Sequence, residues 1–177
     1  MSDDILMRPI RSGDWDAIVA MEYHTYADLG LSEGREVLRS RAAVSPETCF
    51  ALEDDSQVAG YLLALPYPAD HYPDLRQVET TSFTTRNLHL HDIVVAVTHR
   101  RRGMAQRLLK HAIGTARSAG YEQLSLVAVG GSEGFWSARG FTAHPGVVAS
   151  GSYDPTAVYM CAPLSNLGPI PQYEASY

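Results

Sequence analysis

Cysteine is scarce in this 177-residue sequence, with only Cys49 and Cys161, and no apolar run approaches the roughly 18 residues of a membrane helix. Both cysteines lie in apolar, strand-like contexts and read as reduced core residues, not as a disulfide framework. A basic excess is missing too. The formal net charge of −6 argues against a general nucleic-acid binder. The opening MSDDILMRPI carries acidic residues where a signal peptide would carry basic ones. No internal repeat is visible. What is present is ordinary for a globular protein: 45% hydrophobic and 19% charged residues. The length suits one substantial core and is short for two. The expectation is a cytoplasmic domain without nucleic-acid or membrane partners, a monomer or homodimer.

The most informative stretch is LHLHDIVVAVTHRRRGMAQRLLK, Leu88 to Lys110. Its first half is aliphatic and β-branched and reads as a strand, buried on both faces from Ile93 onward. From Ala105 onward, Leu108, Leu109, Ala112 and Ile113 recur at helical spacing. Between them stands Arg100-Arg101-Arg102-Gly103-Met104-Ala105. A strand that feeds a helix through a basic, glycine-containing turn can aim free backbone N–H groups at an anion. Gly103 permits close approach or a positive φ, and Ala105 leaves room. The turn suits a pyrophosphate; the plainer reading is a solvated basic loop. It is neither a Walker loop nor a dinucleotide fingerprint, since both need further glycines at fixed places.

Around this centre the chain reads as follows. Ile5 to Arg11 is a first strand, and a turn at Ser12-Gly13-Asp14 leads into a helix. A second helix spans Glu33 to Ala43. Thr48 to Glu53 and Val58 to Leu65 form a hairpin. Residues Pro66 to Asn87 lack periodicity and carry Tyr67, His71 and Tyr72, as a functional lid or a plain surface excursion would. Gln123 to Val129 is a strand, and Ser132 to Arg139 is a short helix stopped by Gly140. Strands follow around Phe141 to Val148 and Ala157 to Pro163. The domain is expected to span 1–164, with a loosely ordered tail at 165–177.

Arg100-x-x-Gly103-x-Ala105 resembles the acyl-CoA pyrophosphate loop of the GNAT superfamily of N-acyltransferases. Ile93-Val94-Val95 is similar to that family's strand beside the pantetheine arm. Phe135-Trp136-Ser137-Ala138-Arg139-Gly140-Phe141 resembles its later [Phe]-[Tyr]-x-x-x-Gly-Phe segment. The element order agrees over nearly the whole chain. The resemblance implies a single-domain α/β fold, a mixed and mostly antiparallel sheet of six to seven strands flanked by about four helices. It also implies acetyl-CoA as co-substrate, with no metal. The cofactor would be held by Ile93, Val94, Val95, Arg100, Arg101, Arg102, Gly103, Met104, Ala105, Gln106 and Trp136. A strand N–H near Val94 or Val95 would receive the oxyanion, where this strand parts from the next.

His89 and His91 are two apart on a strand, so their side chains share a face about 6.5–7 Å apart. Neutral imidazole can take a proton from an ammonium group. His89-Leu90-His91 resembles the His-x-His pair of arylalkylamine N-acetyltransferases, which makes both histidines candidate catalytic residues; two structural histidines are the plainer reading. A metal would need a third ligand that the sequence does not mark. Trp136 stands where many relatives carry a tyrosine that protonates the leaving thiolate, and indole is no useful acid. Tyr153 is a substitute, or water protonates the thiolate. Asp92 and Glu133 read as caps or surface charges. Glu22, Tyr23, His24 and Tyr26 are candidates for acceptor contact or simply the polar face of a helix. The expected function is acetyl transfer from acetyl-CoA to a small arylalkyl or alkyl amine. The alternatives are a protein N-terminus or lysine as acceptor, and a non-catalytic CoA-binding module.

Overall fold

The computed structural model describes residues 4–168. The strands are β1 (Leu6–Pro9), β2 (Phe50–Asp54), β3 (Gln57–Pro66), β4 (Asn87–Val95), β5 (Gln123–Ala128), β6 (Thr142–His144) and β7 (Val158–Pro163). The α-helices are α1 (Trp15–Tyr26), α2 (Arg35–Val44), α3 (Met104–Ser118) and α4 (Glu133–Ser137). One sheet holds all seven strands in the order β1-β2-β3-β4-β5-β7-β6. Only β4 and β5 are parallel. A parallel neighbour cannot be reached by a tight turn, and α3 supplies the crossover.

Strand period and helix period meet on two faces. On one, Leu62 and Ala64 of β3 and Leu88 and Leu90 of β4 pack against Leu108, Leu109, Ala112 and Ile113 of α3. On the other, Tyr61 and Leu63 of β3 and Val94 of β4 meet Trp15 and Ile18 of α1 and Leu38 of α2. The continuous burial of Ala59 to Leu65 is that of a central strand covered on both sides. Gly60 is required there: a Cβ would stand 2.9 Å from the Val94 carbonyl oxygen. The β2–β3 hairpin turns on Asp55 and Ser56, both at positive φ, as a two-residue turn of matching twist requires.

The structure departs from the sequence reading in several places. Helix α2 begins at Arg35, because Gly34 sits at φ 85° and the Glu33 N–H is taken by the Glu22 carboxylate. Burial in β4 is greatest at Leu88 to Leu90, while Ile93 and Val95 are half-buried, because β4 loses its β5 neighbour beyond Leu90. The last helix and the two last strands are shorter than their apolar patterns. Past Leu164, Leu167 is still buried, and Arg117 donates hydrogen bonds to the carbonyls of both. The rest of the expected tail, 169–177, lies outside the described residues.

Candidate active site

The β4–β5 ladder runs only from Asn87↔Gln123 to Leu90↔Leu126, although both strands continue. The gap between them is a cleft of about 340 Å³, lined by His91, Ile93, Val127, Ala105 and Trp136 among others. The Ala96 N–H donates to the Ala59 carbonyl at 2.8 Å. Strand alternation then turns the Val94 N–H toward β3 and the Ile93 and Val95 N–H groups toward the cleft. Of the two donors expected from the sequence, Val95 faces the gap. Val94 does not, and its side chain is buried in the opposite core.

The basic turn enters α3 beside this cleft. Arg101 and Gly103 both stand at positive φ, and Gly103 is the N-cap. The first helical bond runs from the Arg107 N–H to the Gly103 carbonyl. Met104, Ala105 and Gln106 therefore present N–H groups that the helix itself does not use. Arg100, Arg101, Arg102 and Gln106 are exposed, whereas the Met104 side chain is buried in the core, which leaves only its backbone for a ligand. Asp54, at the end of β2, holds the turn: His99 Nε2 lies 2.9 Å and Arg102 3.5 Å from its carboxylate. Trp136 is half-buried at the cleft wall, edge-on to Phe135 and Phe141.

A feature of β4 that its sequence does not mark shapes the rest of the site. Leu63 pairs with Asp92 and Ala64 with Leu90, so His91 is an extra residue, a β-bulge. Alternation alone puts His91 on the side of His89, and the bulge adds Asp92 to that side. All three line a cavity of about 40 Å³ together with Glu33, Tyr26 and Tyr153. The histidine rings are 6.3 Å apart, as the spacing predicts, but their surroundings differ. His89 is sealed, with Nδ1 2.9 Å from Ser125 Oγ. Burial, then the charges of His91 and Arg41, hold it well below the usual histidine range, and it stays neutral. His91 Nε2 lies 2.6 Å from Glu33 Oε2. Burial works against its charge, but the Glu33 carboxylate outweighs burial and raises it.

Glu33 is held by Arg41, whose fully buried guanidinium also binds Glu79 and the Asp74 carbonyl. Burial opposes the Glu33 charge, yet His91 and Arg41 keep its carboxyl below the usual range. Asp92 accepts a hydrogen bond from Tyr61 Oη at 3.0 Å; burial, against the pull of His91, lifts it to about 6. Glu33, His91 and Asp92 bring three ligand-type atoms within 4.8 Å of one another. Both Glu33 oxygens are already engaged, and the adjacent guanidinium would repel a cation, so the trio handles protons better than a metal.

Segment 67–86 walls an open groove of about 1070 Å³. It is pinned rather than loose. Asp70 N–H donates to Tyr159 Oη at 3.0 Å, Tyr153 Oη to the Pro73 carbonyl at 2.9 Å, and Arg41 to the Asp74 carbonyl. Leu31, Leu75 and Tyr153 border both groove and small cavity, and Tyr26, His91, Val127 and Val129 border both small cavity and cleft. His91 thus borders the small cavity and the cleft, and Leu29 borders the groove and the cleft. Of the other residues singled out in the sequence, Tyr23 and His24 face solvent and Glu133 is exposed. Glu22 is buried and accepts hydrogen bonds from Ser32 Oγ and the Glu33 N–H, fixing the segment that carries Glu33. Glu33 and Arg41 drew no notice in the sequence, where they read as polar positions of a helix.

The family model described as the acetyltransferase (GNAT) family matches residues 15–141. The chain belongs to that family. No curated protein matches the sequence. Among solved structures, N-acetylglutamate synthase from Neisseria gonorrhoeae, complexed with coenzyme A and N-acetyl-glutamate, superposes with a TM-score of 0.67 at 18% identity. That match covers 93% of this chain and only 36% of the synthase, so the GNAT domain spans about a third of that protein. Ard1 from Thermoplasma volcanium gives 0.69 at 14% identity, covering 90% of this chain and 97% of that one. A chain of the NatC complex bound to Gag peptide and CoA gives 0.65 at 16%, covering 90% and 98%. At these identities the likeness is one of fold. No helix among the described residues of this GNAT domain is long and apolar enough to cross a membrane.

Proposed function

We propose that this protein transfers acetyl from acetyl-CoA to a primary amine at the end of an extended, peptide-like acceptor. The observation that carries this reading is the groove of about 1070 Å³, far more room than a small amine fills, which shares Leu31, Leu75 and Tyr153 with the small cavity of the Glu33–His91 pair. The matched NatC structure, which holds a peptide and CoA, agrees with it. A small arylalkylamine remains the second reading, favoured by the ring pairs Tyr67–Phe83 and Tyr72–Tyr153 along the same wall. The likeness to arylalkylamine acetyltransferases rests on the sequence from His89 through Gly103.

The residues present fit the co-substrate. Free N–H groups of Met104, Ala105 and Gln106, with Gly103 and the exposed Arg100 to Arg102, suit a pyrophosphate at the start of α3. The splayed edge of β4, at Ile93 to Val95, suits the pantetheine arm, with Trp136 opposite it. The Ile93 and Val95 N–H groups suit an oxyanion where the acetyl carbonyl would lie. The acceptor amine enters from the groove, and His91 receives the proton that its nitrogen sheds as the amide forms, while neutral His89 holds the local hydrogen bonds through Ser125. General-base catalysis typically contributes about 10²–10⁴-fold, which His89→Ala/His91→Ala should remove with little change in CoA affinity.

The test offers acetyl-CoA with either a pool of hexapeptides bearing free α-amines or a panel of arylalkyl and alkyl amines, and reads released CoA thiol. Faster release with peptides supports the reading. Release only with small amines moves the acceptor to the second reading, and release with neither leaves a non-catalytic module.

A further inference from the structure

We propose that His91 also protonates the departing CoA thiolate, so that one imidazole serves both the cofactor side and the acceptor side of the reaction. This rests on the acetyl-transfer reading above and answers a question that Trp136 raises there: an indole stands where an acid would be expected, and the thiolate still needs a proton.

The place of His91 on β4 supplies the geometry. His91 lines the cofactor cleft and the small cavity at once, whereas His89 lines only the cavity. Its Nε2 is fixed on Glu33, and its Nδ1 has no hydrogen-bond partner among the described residues. The other ionisable group on the cleft wall is Tyr26. Burial, with Asp92, Glu22 and Glu33 nearby, pushes the Tyr26 phenol well above its usual value, which makes it a poor donor to a thiolate. Every charged or titratable neighbour of His91 bears on its state. Glu33 precedes α2, Glu22 and Tyr26 come from α1, Arg41 from α2, His89 and Asp92 from β4, and Tyr153 from the segment before β7. The Glu33 carboxylate, 2.6 Å from Nε2, and Asp92 favour the imidazolium, against its burial and Arg41.

An imidazolium at rest sets the order of events. The neutral amine attacks the acetyl carbonyl and forms the C–N bond. The C–S bond breaks with its electron pair on sulfur, and the His91 proton goes to that sulfur, giving the thiol. The imidazole, now neutral, takes the proton that the new amide nitrogen sheds, and the imidazolium is restored. The net change is one proton moved from nitrogen to sulfur.

The order has a signature that a base acting alone lacks. A base that must be neutral loses rate as pH falls, whereas an acid that must be charged loses rate as pH rises. Deprotonating the acceptor amine can only raise the rate at alkaline pH, so a falling alkaline limb cannot come from the acceptor. The experiment measures turnover of the full chain at saturating acetyl-CoA and hexapeptide pool from pH 6 to 9.5, for wild type and Glu33→Gln. The rate should fall on the alkaline side, and Glu33→Gln should move that limb to lower pH, with about tenfold lost for each unit of movement. Asp92→Asn should move it the same way and serves if Glu33→Gln does not fold. Transfer with a flat or rising alkaline profile, or a limb that neither substitution moves, overturns the proposal and leaves the acetyl-transfer reading standing. No transfer by wild type to any peptide or amine overturns both.

Discussion

Arg41 grips Glu33 through Nε, at 3.0 Å, and through a terminal guanidinium nitrogen, with both side chains almost completely buried. The same guanidinium holds Glu79 and the Asp74 carbonyl. One buried cation thus ties the groove wall to the carboxylate that charges His91. Removing it should strand two buried carboxylates. Arg41→Met is expected to cost about 3–5 kcal/mol in urea unfolding. It should also expose the 67–86 segment to proteolysis. Arg41→Lys should recover only part, because an ammonium cannot reproduce the fork. A loss below about 1 kcal/mol, as for an exposed pair, would mean the network is not sealed in solution.

The Glu33–His91 pair should also shape stability against pH. Glu33 is lowered in the fold, so its contribution is present above its ordinary value of 4.5 and is lost as pH falls through the folded value. His91 is raised, so its contribution is complete below its ordinary 6.5 and is lost as pH rises through the folded value. The pair therefore contributes most between pH 4.5 and 6.5. Glu33→Gln should flatten that part of the profile of unfolding free energy; an unchanged profile would separate the two residues in solution.

Asp92 has the opposite sign to Glu33. Its folded value of about 6 lies above the ordinary 3.8, so ionising it in place costs stability as pH rises. Asp92→Asn keeps an acceptor for the Tyr61 hydroxyl and should raise the melting temperature at pH 8 but not at pH 3.5. Equal effects at both would contradict the assignment.

Gly103 stands at φ 72°, and a Cβ added there would meet no atom within 4 Å, so a side chain would be strained by conformation and not by collision. Gly103→Val should weaken CoA binding at least tenfold, about 1.4 kcal/mol, by calorimetry. Gly103→Asn, which tolerates a left-handed backbone, should lose less. Equal losses would point to contact with the side chain instead.

Trp136 offers the cleft area and a weak donor. Trp136→Phe should lower turnover modestly and leave the alkaline limb of the pH profile unmoved, since no proton passes through the indole. A shifted limb would place Trp136 in the leaving-group step.

The sequence was most legible where one local period ran on. The Ile93–Val95 strand, the basic turn and the apolar face of α3 were visible because each depends on neighbours a few residues away. The arrangement behind His91 was not. The bulge depends on how β4 registers against β3, and no residue in His89-Leu90-His91-Asp92 marks an extra position. Arg41 reads as the polar face of an amphipathic helix until the distant 67–86 segment closes over it. Glu33 reads as a helical residue, yet Gly34 ends that possibility and turns its carboxylate to His91. Contacts between residues 58 or 38 positions apart leave no local pattern.

The central claim is that cleft, His91 cavity and groove form one path for acetyl-CoA and a peptide-like acceptor. A conjugate of CoA joined through an acetyl link to the α-amine of a hexapeptide, titrated by calorimetry, tests this most directly. The account predicts binding at least about a hundredfold tighter than CoA alone, since both ends would be engaged at once, and protection of the 67–86 segment from proteolysis. Affinity no better than that of CoA linked to a single small amine would contradict it.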